Sequence, residues 1–86
     1  MPRYLVETFL ARGAAGEREA RERRACSAAG ELTHVRFERS IYVPEDEICF
    51  FVFDAPSGRE AALAAQLAAL DPVRVVEAIS SRGEER

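Results

Sequence analysis

Eighty-six residues, 48% of them hydrophobic and 31% charged, fit one small globular domain and argue against a disordered chain. The formal net charge of −3 argues against a nucleic-acid-binding surface, which normally carries a basic stripe. No stretch approaches the ~18 apolar residues of a membrane span. The opening MPRYLVETF has no apolar signal core, so the expectation is a cytoplasmic protein with no membrane partner.

All 12 basic residues are arginine, a composition typical of GC-rich bacterial coding. Cys26 and Cys49, without a secretory signal, read as free thiols. A chain this short buries a limited fraction of its surface, which makes help from a second subunit an expectation.

Residues 3–10 (RYLVETFL) are rich in β-branched and aromatic types and predict a first strand. Gly13 and Gly16 punctuate the loop that follows. Residues 17–29 are strong helix formers, with Glu17/Arg21, Arg18/Glu22 and Glu19/Arg23 spaced for i,i+4 pairing. The apolar stripe of this helix is thin: Ala20, Ala25, Cys26, Ala28 and Ala29. Its arginines alternate with glutamates, which marks a solvated face, and Gly30 is a stop signal. Residues 32–43 alternate and predict a second strand. PEDE at 44–47 is a turn, and ICFFVFD at 48–54 is apolar throughout, as in a central strand buried on both faces. Ser57 with Glu60 forms a capping box for a helix over 57–70 that Asp71-Pro72 ends. Residues 73–79 (VRVVEAI) predict a fourth strand. The domain therefore spans 1–80, with a polar, frayed tail at 81–86.

The order β-α-β-β-α-β predicts a ferredoxin-like α+β fold: a four-stranded antiparallel sheet with two helices on one face and the other face bare. A turn centred on Glu45-Asp46 sets Val43 opposite Ile48, Tyr42 opposite Cys49, Ser40 opposite Phe51 and Glu38 opposite Phe53. Alternation then assigns Val35, Phe37, Ile41, Val43, Ile48, Phe50 and Val52 to the helix-covered core. It assigns His34, Arg36, Glu38, Ser40 and Tyr42, beside Cys49, Phe51 and Phe53, to the uncovered face. Phe51 and Phe53 are too apolar to stay wet there, so the expectation is a homodimer through that face. Arg36, Ser40, Tyr42, Phe51 and Phe53 would wall the interface or a pocket within it.

The pattern leaves open which face Glu7 occupies. If Leu5, Glu7 and Phe9 face the bare side, Glu7 joins His34, Glu38 and Cys49 there. These are ligand types for a transition metal such as nickel or zinc. They lie on three strands without diagnostic spacing, and the plainer reading is a half-solvated His, an inert buried Cys and an Arg–Glu pair. His34 and Glu38 would stand about 13 Å apart along one strand, too far for an acid–base dyad. Tyr42, the neighbour of Cys49, does not activate a thiol. No phosphate loop, G-x-S-x-G or H-E-x-x-H occurs, so no catalytic residue is assigned.

Taken in order, MPRYLVE, SIYV, FFVFDAPSGREA and DPVRVVEAI resemble a small bacterial domain-of-unknown-function family, the one that includes the actinobacterial nickel-responsive, nickel-binding protein. The resemblance covers residues 1–79. It implies a ferredoxin-like dimer and a nickel-type divalent ion. Glu7 matches the opening motif and Ser40 the serine of a Ser-Tyr segment, but Ile41 stands where that tyrosine would be. Phe51 holds the place of a family cysteine, with Cys49 two residues earlier. The second helix, where such proteins often carry a His, has Gln66 as its polar mid-helix residue. The combined expectation is a small homodimeric binding protein, with Glu7, His34, Glu38 and Cys49 as candidate metal ligands. A cofactor-free oxygenase- or isomerase-like enzyme with a pocket at the sheet face is the alternative, and a pure interaction module is a third reading.

Overall fold

The PEDE turn folds the chain back so that Val43 pairs with Ile48 and Tyr42 with Cys49. This hairpin is half of a four-stranded antiparallel sheet in a computed structural model, which describes residues 1–79. The tail expected at 81–86 lies outside the described residues. The elements are β1 (Arg3–Phe9), α1 (Ala15–Gly30), β2 (Arg36–Val43), β3 (Ile48–Asp54), α2 (Gly58–Leu67) and β4 (Arg74–Ala78). The sheet order is β2-β3-β1-β4, so β1 and β3 are central. This is the ferredoxin-like α+β fold. Among the described residues no helix is long and apolar enough to cross a membrane.

Both helices are alanine-rich where they meet the sheet. Ala25, Ala28 and Ala29 of α1 and Ala61, Ala64 and Ala65 of α2 are buried in one core with Val6, Phe51 and Phe53. Small helix side chains allow close approach, and the phenylalanine rings fill the space that remains. Phe37 closes the cluster, its ring centroid 6.2 Å from Phe51 and 5.4 Å from Phe53. Thr8 is a polar residue buried in this layer, and its hydroxyl donates to the Cys49 carbonyl at 2.8 Å. Arg21 of α1 donates to the Phe9 carbonyl at 2.9 Å and is itself held by Glu17 at 2.9 Å, one of the expected i,i+4 pairs.

The serine half of the expected capping box forms: Ser57 Oγ accepts from the Glu60 backbone N–H at 3.3 Å. The helix stops earlier than the expected Leu70. Ala69 takes a left-handed φ of 56°, its N–H bonds the Gln66 carbonyl, and the Leu70 N–H bonds the Ala65 carbonyl, both at 3.0 Å. That is a Schellman ending, and it turns Leu70 into the core. Arg24 of α1 then donates to the free carbonyls of Ala68 at 2.8 Å and Ala69 at 3.3 Å, placing a cation at the negative end of α2.

The assignment of faces is the main correction. β2 begins at Arg36, four residues later than the alternation suggested, and residues 31–34 form turns. A bulge then shifts its register: Arg39 lies opposite Val52 and Phe37, not Glu38, lies opposite Phe53. The extra residue, Glu38, leaves the ladder, and Phe37 joins the ring face. Cys49, Phe51 and Phe53 thus sit under the helices with Ser40 and Tyr42, not on the uncovered face. Of the residues expected in the core, Val35 and Phe37 are there. Ile41, Val43, Ile48, Phe50 and Val52 point to the opposite, open side.

A non-glycine residue in the left-handed region costs about 1 kcal/mol, so Ala69→Gly should raise stability by about that amount. The check is the urea midpoint by circular dichroism; a lowered midpoint contradicts the Schellman ending.

Candidate functional site

Beyond the core, the described residues carry the open face of the sheet, a cleft beside the start of α1, and a more open groove between α1 and β2 lined by Glu22, Cys26, Phe37 and Arg39. Each row of the open face is read from the strand register. Arg39, Val52, Leu5 and Val76 form one row across β2, β3, β1 and β4. Ile41, Phe50, Glu7 and Arg74 form the next, and Val43, Ile48 and Phe9 follow. Among the described residues no helix covers these side chains. Phe9 is 60% and Ile41 41% exposed, while Val52 at the middle is screened by its neighbours. The centre of the face is aliphatic and aromatic. Charges lie at its corners, except for Glu7.

Glu7 accepts from Arg74 Nε at 2.9 Å, which answers the question of its face and of its partner. At the end of the sheet nearest the start of β1, Arg3 Nε lies 3.0 Å from Glu38 and 3.2 Å from Asp54. The bulge that freed Glu38 from the ladder thus gives it an ion pair.

The cleft, of about 420 Å³, lies between the start of α1 and the β2–β3 hairpin, with Leu10, Ala14, Arg18, Glu22 and Tyr42 on its walls. Gly13 turns the chain into α1 with φ 79°. Arg18 donates to the Ser40 hydroxyl at 3.0 Å and its guanidinium lies 5.8 Å from the Tyr42 ring centroid. The Ser40 hydroxyl in turn donates to Glu22, and the Tyr42 hydroxyl to the Leu10 carbonyl at 3.0 Å. These bonds explain how Ser40 and Tyr42, polar residues expected on the uncovered side, are accommodated under a helix. Cys49 lies beneath them, wholly buried. Burial pushes its thiol pKa up, against the opposing pull of Arg18 and Arg21. A protonated, inaccessible thiol is neither a nucleophile nor a ready metal ligand.

The four expected metal ligands are not brought together. Cys49 shares a face with Thr8, and Glu7 shares the opposite face with Phe50, so the sheet separates them. His34 is exposed in the turn before β2 rather than on the strand, and Glu38 is held by Arg3. Among the described residues no three His, Cys, Asp or Glu side chains converge on a metal position. Of the expected interface residues, Phe51 and Phe53 are core, Ser40 and Tyr42 face α1, and Arg36 is exposed opposite Asp54. What the alternation missed is the true open face, centred on Leu5, Phe50 and Val52. One signal pointed there: Arg39 interrupts the set taken as core, and a charge is out of place in a core but not on an open face.

Fold and surface together define a ferredoxin-like α+β domain with one apolar sheet face uncovered. No family model matches the chain, and neither does any curated protein or solved structure.

Cys26 is exposed on α1 and Cys49 is buried. Native protein should release one equivalent of thiol to a disulfide reagent quickly, and the second only on unfolding. Because the folded Cys49 thiol ionises above the ordinary value of 9.0, the unfolded state loses its proton first and stability should fall as pH rises past that value. Fast reaction of both thiols in native protein would contradict the buried placement of Cys49.

Proposed function

We propose that the chain acts as a homodimeric interaction module, with the uncovered sheet face docking a second copy. The observation that supports this is the set of apolar side chains on that face, from Leu5 and Phe9 through Ile41, Ile48 and Phe50 to Val76, with no helix over them. Monomers rarely keep a contiguous apolar patch of this size in water.

Size favours a second copy. Four strands about 4.8 Å apart and five residues deep at about 3.4 Å each make a footprint of roughly 330 Å² in plan. With side-chain relief roughly doubling that, two copies bury on the order of 1,200 Å² in total, enough for a specific interface. Sheets stacked face to face at about 10 Å form an ordinary two-layer core. A transition-metal centre has no support from this arrangement, since one chain keeps Glu7, His34, Glu38 and Cys49 apart. Nor does an enzyme pocket at the open face, whose centre is apolar and whose central charged group, Glu7, is bonded by Arg74.

Sedimentation equilibrium at micromolar concentration should give twice the chain mass for wild type. Phe50→Asp, which puts a charge at the centre of the face, should weaken the dimer by at least about a hundredfold while leaving the far-ultraviolet circular dichroism unchanged. A monomeric wild type overturns the proposal.

A further inference from the structure

We infer that Arg39 of the second copy completes the ion pair of Glu7, so that two symmetric Glu7–Arg39 contacts set how the two sheets are aligned. This inference rests on the homodimer reading of the open face.

Glu7 is the charged group in the middle of that face. It stands on central strand β1, in a row with Ile41 and Phe50, and only 17% of its side chain is exposed. Its Oε1 accepts from Arg74, whose own side chain is 66% exposed on edge strand β4. A second sheet laid over this face removes the remaining water from the carboxylate. One bond from a largely exposed arginine leaves Oε2 without a donor, and a buried carboxylate needs its lone pairs filled.

The remaining charges on the face narrow the choice of donor. Arg3 is taken by Glu38 and Asp54, and Arg36, unpaired among the described residues, stands opposite Asp54, four residues or about 14 Å along the strand from Phe50. Arg39, exposed at the β2 margin in the row of Val52 and Leu5, makes no hydrogen bond or ion pair among the described residues. It is therefore a cation of the face with its donors free, and it is too far across the sheet to serve the Glu7 of its own chain, with β3 between them.

Symmetry makes the contact reachable. Two sheets packed face to face are related by a two-fold lying in the plane between them, and the apolar patch centres near Phe50. From Phe50, Glu7 is one strand away, about 5 Å, on the β1 side. Arg39 is one strand and two residues away, about 8 Å, on the β2 side. A two-fold near Phe50, inclined to the strands as twisted sheets require, exchanges these sides and brings each Glu7 over the other copy's Arg39. The difference of about 3 Å is within the reach of an arginine side chain. The contact occurs twice, because a two-fold interface repeats each pair.

The test uses the full chain and two charge reversals, Arg39→Glu and Glu7→Arg, with native mass spectrometry and sedimentation equilibrium as readouts. Each variant alone places like charges at both contacts and should dimerise at least about tenfold more weakly than wild type. Mixed one to one, the two variants restore opposite charges at both contacts and should form heterodimers in preference to either homodimer. Arg39→Glu dimerising as tightly as wild type, or a mixture no tighter than its components, overturns the inference while leaving the homodimer intact. A monomeric wild type removes both. If Glu7→Arg does not fold by circular dichroism, Glu7→Gln replaces it: Arg39→Glu should then cost less in that background than in wild type, and an equal loss overturns the contact.

Discussion

Strand β3 has apolar side chains on both of its faces, and among the described residues the two helices cover only one. ICFFVFD sends Cys49, Phe51 and Phe53 under α1 and α2, and Ile48, Phe50 and Val52 to the other side. A strand at the centre of a sheet cannot turn either set toward water by itself. The rest of the molecule follows from which set the helices cover. They cover Phe51 and Phe53, whose rings pack against the alanine faces of both helices. The side of Ile48, Phe50 and Val52, extended by Leu5, Phe9, Ile41, Val43 and Val76, is left bare.

Polar residues under α1 are the counterpart of that choice. Ser40 and Tyr42 interrupt what would otherwise be an apolar covered face, and α1 supplies arginines and glutamates that can reach them. Arg18 and Glu22 bond Ser40, Arg21 ties α1 to β1, and Arg24 crosses to the carbonyls that end α2. The arginine–glutamate alternation of α1 is thus only partly a solvent face: several of its side chains fasten the helix to the sheet and to α2. A helix with so thin an apolar stripe gains from such bonds what it lacks in buried area.

The order of elements, the hairpin pairing next to PEDE and the Ser57–Glu60 cap were all legible in the sequence, because each rests on local chemistry at adjacent residues. The end of α2 was not: Ala69 in a left-handed conformation breaks the usual preference for glycine and is imposed by the burial of Leu70. The faces were not legible either. Alternation identifies two sets of residues on a strand but does not say which set the helices cover. The set richer in aliphatic residues was the natural choice, and it is the open one. The bulge at Glu38 moves Phe37 to the ring side, which is why Val35 and Phe37 are in the core as expected while the rest of that set is open, and nothing in HVRFERSIYV marks a bulge. Arg39 was the informative residue: a charge within the set taken as core, it stands at the margin of an uncovered face. The metal reading depended on the same inverted faces, since it needed Cys49 and Glu7 on one side of the sheet.

The proposed association rests on what the open face offers: area, an apolar centre and a carboxylate that accepts one hydrogen bond, from Arg74. The most direct test of this account is methyl-detected nuclear magnetic resonance at millimolar protein with a soluble paramagnetic agent. The methyl groups of Leu5, Ile41, Ile48 and Val76 should be protected from the agent, while those of Leu63 and Leu67, exposed on α2, are strongly relaxed. Equal relaxation of the two sets would show that the sheet face stays open to solvent and contradict the account.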